Sequence, residues 1–198
     1  MSKTINDLWV EMLLKEGIVP TAGKTINDLL YEMLQSGLLG RKGVVKTGQL
    51  TSYVDYDDGY YQKGLPVSGA RFTDNGDGTI TDNVLKLQWA KDGNGAGCNN
   101  GGTLAWAAAI SFCKNLNFAN HTDWRLPNVK ELQSIADYGR VSPAIDPLFT
   151  NTQSNVYWSG TTYAGNTGSA WFVYFDDGSV YYGSKGDGYY VRAVRSSQ

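Results

Sequence analysis

The sequence predicts an α+β domain with antiparallel strand pairing, and three observations predict it. Two short strand segments come first, two helical segments hold the middle, and four strand segments follow, all on short links. Twenty-four glycines punctuate the strand regions, where turns need them. The hydrophobic share of 41% and charged share of 18% suit a globular chain of 198 residues. That length accommodates one domain of ordinary size plus an appendage.

The appendage is predicted over residues 1–40. KTINDLWVEML (3–13) returns as KTINDLLYEML (24–34), and each copy opens on a capping pattern, Thr4 with Asp7 and Thr25 with Asp28. Ile5, Leu8, Trp9, Met12 and Leu13 share one helical face, as do Ile26, Leu29, Leu30, Met33 and Leu34. Gly17 and Gly37 sit where helices stop. Helices this short need a partner surface, so the repeat is expected to oligomerise the chain or dock it onto another component. Residues 41–66, rich in glycine, charge and tyrosine, read as a linker running into the first edge of the main domain, which spans 67–198.

RFTDNGDGTITDNVLKLQWA (71–90) reads as two strands around a turn at 75–78. Its DNGDG string fails as a calcium loop. With Asp77 and Gly78 in the fifth and sixth positions, Thr73 and Val84 fall where carboxylates are required. Helices are expected over 103–116 and 128–138, the second capped by Asn128 with Glu131 three residues on. Cys113 lies on an apolar helical stripe with Trp106, Ala109, Ile110 and Leu116, which favours a buried thiol over a disulfide with Cys98. VYWSG, AWFVYF, SVYYG and YYVRAVR then supply strands.

Several function classes are disfavoured. A net charge of −2 without a basic patch argues against nucleic acid, and no apolar run spans a bilayer. The start lacks the pattern of a secretory signal, so folding in a cytoplasm is expected. His121 is the only histidine, and no nucleophile elbow, phosphate loop or zinc spacing accompanies it. No enzyme activity, metal or cofactor is expected.

The tyrosine-rich stretch 171–184 raises the functional question. With Asp177 and Gly178 as central turn residues, the expected pairs are Asp176 with Ser179, Phe175 with Val180, Tyr174 with Tyr181, Val173 with Tyr182 and Phe172 with Gly183. Alternation assigns Trp171, Val173, Phe175 and Val180 to the core. Phe172, Tyr174, Asp176, Ser179 and Tyr181 fall on an outward strip. Tyrosine with serine, glycine and asparagine is the composition of adaptable binding surfaces.

KTGQ (46–49), DDGYYQKG (57–64), RFTDNGDGTITDN (71–83), LQWAK (87–91), DWRLPNVKEL (123–132), IDPLF (145–149), YWSGT (157–161) and the closing AWFVYFDDG…YYVRAVR (170–195) resemble the Lcl C-terminal-like family. That resemblance implies a C-type-lectin-like fold, distantly similar to formylglycine-generating enzymes and to adhesin ligand-binding domains. The activity of those enzymes depends on C-terminal cysteines, and residues 114–198 contain none. The last segment is similar to the variable protein of a diversity-generating retroelement. In such systems adenine mutagenesis of Asn codons yields Asn, Asp, Gly, Ser, Tyr, Phe, Thr, Ala and a few others, but not Glu, Gln, Lys, Met or Trp. Tyr163, Asn166, Ser169, Phe172, Tyr174, Asp176, Asp177, Ser179, Tyr181, Tyr182, Ser184, Asp187 and Tyr189 obey that alphabet and are the candidate ligand contacts. Gly165, Gly168, Gly183, Gly186 and Gly188 obey it too. Trp158, Trp171, Val173, Phe175, Gly178, Val180, Val191, Arg192 and Arg195 would be scaffold, and Arg125, Arg192 and Arg195 are expected to bond internally.

The resemblance implies a receptor-binding module, expected as a phage tail protein assembled in the host cytoplasm and carried on the virion. Its partners would be a host-surface protein or glycan at the C-terminal face and a virion component at the N-terminal helices, with a homo-oligomer possible. A bacterial surface adhesin or lectin is the alternative, and an enzyme of the formylglycine-generating kind the weakest reading.

Overall fold

A computed structural model describes residues 43–197, so the repeat expected over 1–40 lies outside the described residues. Short helices and two antiparallel sheets make an α+β architecture. The first sheet runs in the order β1 (Phe72–Asp74), β2 (Thr79–Asp82), β3 (Leu87–Ala90), β7 (Val194–Ser196). The second contains β4 (Val156–Thr162), β5 (Ser169–Tyr174) and β6 (Ser179–Ser184), in that order. Between them in sequence come α2 (Trp106–Lys114) and α3 (Val129–Ser134). A single-turn helix α1 (Asp58–Tyr61) precedes the first sheet.

Two apolar clusters hold the domain. One joins Ile80, Trp89, Leu132, Ile135, Phe149, Tyr157, Val173 and Phe175. The other joins Ala109, Cys113, Trp124, Trp158, Ala170 and Val191. Both clusters draw on β4 and β5, because successive residues point to opposite faces: Tyr157 and Val173 to the first, Trp158 and Ala170 to the second. The second sheet is therefore covered on both faces along part of its length.

The expected arginine roles are met. Arg192 is fully buried and donates to the carbonyls of Ala90 (2.5 Å) and Lys91 (2.8 Å) and to Thr152 Oγ1 (2.7 Å). Arg195 reaches Asp123 at 2.7 Å, and Arg125 forms a two-pronged pair with Glu131 at 2.7 Å. A third buried cation escapes sequence reading. Arg71 donates to Asp82 from Nε and Nη2, at 3.0 and 2.5 Å, with both side chains wholly enclosed. Removing one partner of such a pair strands the other charge, which costs about 3–5 kcal/mol.

Several boundaries move. The first helix begins at Trp106 rather than 103, because Leu104 spends both its N–H and its C=O on Tyr189. The second ends at Ser134 rather than 138. Past it, Ala136 bridges Ile145, and the Asp137 and Tyr138 amides turn to Ala144 and Thr47. The 71–90 stretch holds three strands, not two, with β1 and β2 joined at the expected turn. YYVRAVR is no continuous strand: Tyr189 and Tyr190 make isolated bridges to Leu104 and Tyr157 before β7 begins. Residues 44–67 are tied in by Leu65 and Val67, both buried, and by Tyr138 N–H donating to the Thr47 carbonyl at 2.7 Å, while a parallel bridge of Val45 with Leu65 closes the segment on itself. Cys113 is buried in α2 and Cys98 in the 3₁₀ stretch Ala96–Gly101 that precedes it, both as free thiols.

Candidate functional site

The β5–β6 hairpin differs from its expected register while keeping its faces. Tyr174 pairs with Ser179, Val173 with Val180, Phe172 with Tyr181 and Trp171 with Tyr182. Phe175 leaves the ladder because its N–H donates to the Asn155 carbonyl (2.9 Å) and its C=O accepts from Ala144 N–H (2.7 Å). The connection is thus four residues, Phe175–Gly178, closed by Gly178 N–H to Tyr174 C=O at 2.8 Å, with Gly178 left-handed at φ +85°. Each strand residue slides to a new partner of the same parity, so the two strips remain.

Side-chain surroundings alter what each strip does. Val173 and Phe175 enter the core as expected, but Trp171 does not. It stands half-buried beside Tyr163 and Tyr182, whose rings stack at 4.0 Å and 12°, and meets them edge-on at 5.4 and 5.7 Å. Cross-strand pairing of Trp171 with Tyr182 sets that cluster on the rim of the sheet. On the other face Phe172 and Tyr189 are half-buried against enclosed Trp158, with Tyr189 4.4 Å from Trp158 and 5.4 Å from Phe172. Those two serve the core as much as any ligand. Tyr181, 61% exposed, and Tyr182, 49% exposed, are the open aromatics of this sheet.

The candidates also divide by position along the strands. The β4–β5 loop, with Tyr163, Asn166 and Gly168, lies beside Lys185 at the end of β6, since Lys185 N–H donates to Gly168 C=O at 2.9 Å. Lys185 Nζ donates to Thr162 Oγ1 (2.9 Å) and sits 3.9 Å above the Trp106 ring. This Lys185–Trp106 pin, missed by sequence reading because its partners are remote in the chain, holds the 185–188 loop to α2. Asn166, Tyr182, Ser184 and Asp187 are exposed at that end. Asp176, Asp177, Ser179 and Tyr174 lie at the opposite end, about 17 Å away along a six-residue strand.

Local bonding separates contacts from scaffold. Ser169 is buried at 8% exposure, its C=O taking Tyr163 N–H and its N–H donating to Asn166 C=O, which sets it apart from the exposed candidates. Asp176 accepts from Ser142 at its carboxylate (2.7 Å) and at its backbone carbonyl (2.8 Å), which pins the turn. Asp177 accepts from Ser179 side chain and backbone, and these bonds hold its carboxyl below the usual range. Desolvation, then the hydrogen bond to Asp187, pushes the Tyr189 hydroxyl upward.

The glycines separate in the same way. Gly178 is left-handed, and a Cβ there would lie 3.0 Å from the Tyr138 ring. Gly165, Gly168, Gly183, Gly186 and Gly188 all avoid the left-handed region. The nearest atoms to a Cβ at these positions belong to side chains, of Tyr163, Asn166, Tyr189, Ser184 and Thr103 respectively; at Gly165 (2.6 Å) and Gly183 (2.9 Å) the Tyr163 and Tyr189 rings would have to move. Gly186 is the most open, its nearest neighbour being Ser184 Oγ at 3.6 Å.

Among the described residues no group of histidine, cysteine, aspartate and glutamate is arranged to hold a metal ion. Among them, too, no helix is long and apolar enough to cross a membrane. A family model described as the Lcl C-terminal domain matches residues 78–195, more than half of the chain. No curated protein matches the sequence.

Proposed function

The chain belongs to the Lcl C-terminal domain family, and from that footing we propose that the rim of its second sheet is a replaceable ligand-binding surface on a C-type-lectin-like scaffold. The observation that carries the reading is the glycine partition. Of the six glycines in the 163–189 segment, Gly165, Gly168, Gly183, Gly186 and Gly188 have backbones outside the left-handed region, which other residues can adopt, whereas Gly178 alone is left-handed, at the hairpin turn. Tyr181, Tyr182, Asn166, Ser184 and Asp187 follow the same alphabet and are exposed. Ring stacking and tyrosine hydroxyls would supply affinity at little side-chain entropy cost, with no bond chemistry.

The chain on this reading is the variable protein of a diversity-generating retroelement. It acts as a phage receptor-binding tail protein whose C-terminal surface engages a host-surface protein or glycan, and its N-terminal repeat attaches it to the virion. The DNA around the gene provides the test. A near-copy of the codons for 157–195, differing only at adenines and accompanied by a reverse transcriptase, is the expected result. A locus with neither would remove the retroelement.

A further inference from the structure

We propose that β6 is a docking edge onto which a protein ligand adds an extended strand, so that backbone hydrogen bonds supply a constant share of the affinity beneath changing side chains. The inference rests on the C-terminal rim being a ligand-binding surface, and it selects protein over glycan as the ligand class.

Strand order makes β6 an outer strand of the second sheet. Lys185 N–H donates to Gly168 C=O, so hydrogen-bonded pairs fall at Lys185, Gly183, Tyr181 and Ser179 by antiparallel alternation. Val180, Tyr182 and Ser184 therefore turn their backbone groups away from β5. The Ser184 carbonyl takes Asp187 N–H, but the N–H and C=O of Val180 and Tyr182 meet no partner among the described residues. Among the described residues the other edges are closed or short. On β4, Trp158 N–H donates to the Tyr190 carbonyl, Tyr190 N–H to Val156 C=O, and Gly160 N–H to Pro127 C=O. On β7, Val194 exchanges both bonds with Arg125. β1 is only three residues long and ends on Asp74, which is paired with Lys91.

Natural proteins guard open edges with charge, proline, bulges or brevity. SVYYGS spans six residues and has neither charge nor proline, and its pairing with β5 is unbroken. An unguarded edge flanked by exposed Tyr181 and Tyr182 suits strand addition, in which main-chain bonds bind and alternate side chains select. Such a mode also suits a surface whose side chains change, because replacing them leaves the backbone donors and acceptors in place.

The test uses the full chain and linear peptides panned against it from a random display library. An enriched peptide is expected to slow amide exchange at Val180, Tyr182 and Ser184 and to lose binding when N-methylated at alternate positions. Tyr182→Pro and Tyr182→Ala both delete the ring, but only proline deletes the outward N–H, at an edge position that tolerates it. Tyr182→Pro should bind about two- to tenfold more weakly than Tyr182→Ala, the weight of one backbone hydrogen bond. Peptides that bind without protecting these amides, or equally to both variants, would overturn strand addition and leave the rim a binding surface. So would a glycan array with a hit lost in Tyr181→Ala and no enriched peptide. A concentration-dependent dimer abolished by Tyr182→Pro would assign the edge to a second copy and equally overturn it.

Discussion

Gly178→Ala and Gly186→Ala should have opposite consequences, although both glycines lie in turns of the same segment. At Gly178 the backbone is left-handed at φ +85°, a conformation that costs an alanine about 1–2 kcal/mol. The added methyl would also lie 3.0 Å from Tyr138 Cε1. That ring cannot swing away freely, because its hydroxyl donates to the Gly178 carbonyl (3.1 Å) and accepts from Gln133 Nε2 (3.2 Å). Together these give a loss of about 2 kcal/mol, or about 4–8 °C in Tm for a domain of this size. At Gly186 the nearest atom is 3.6 Å away and φ lies outside the left-handed region. Alanine there restricts mainly the unfolded chain and should change stability by between 0 and about +1 kcal/mol. Calorimetric unfolding of the two variants against the parent reads both values. A Gly186→Ala variant as destabilised as Gly178→Ala would refute the division into fixed turn and replaceable loop.

Two further outcomes follow from the scaffold. Glu131 accepts the Asn128 N–H and both prongs of Arg125; desolvation raises its carboxyl pKa, but these bonds outweigh it and leave it below 4.5. A lowered folded value stabilises above the unfolded pKa and is lost as pH falls through the folded one. Glu131→Gln should therefore cost about 1 kcal/mol at pH 7 and flatten the decline in Tm between about pH 5 and 3, as thermal melts across that range would reveal. Burial pushes the Cys113 thiol from 9.0 up to about 12. Its neutral form then contributes fully below the unfolded pKa, and the contribution is lost as pH rises toward the folded value. A thiol reagent at pH 8 should label neither Cys98 nor Cys113 in the folded chain and both after denaturation; rapid labelling of the native protein would contradict their burial.

Local chemistry was the readable part of this fold. The Asn128–Glu131 capping box forms as its spacing predicts, because both partners lie within one turn. Alternation correctly divided the faces of the hairpin, since parity survives a change of register. The register itself was not readable: it depends on Asn155 and Ala144 claiming the backbone of Phe175, and no local signal announces that. Trp171 looked like core because it alternates with Val173, yet the core ends before it and Tyr163 closes over its edge instead. Ser169 follows the same alphabet as the exposed candidates, but it is buried once β4 and β5 pair, and residue type does not announce that. Arg71 and Asp82 are joined only once β1 and β2 have paired, so their enclosure required the fold.

The division between fixed scaffold and replaceable rim can be measured in one library experiment. The codons for Tyr163, Asn166, Tyr181, Tyr182, Ser184, Gly186 and Asp187 are randomised together within the Asn-codon alphabet, and protease resistance is scored on displayed chains. A matched library randomises Trp158, Val173, Phe175, Val191 and Arg192, which are buried. Most members of the first library should stay resistant, and almost none of the second should. Equal collapse of both libraries would contradict the account, because the rim would then be part of what holds the domain together.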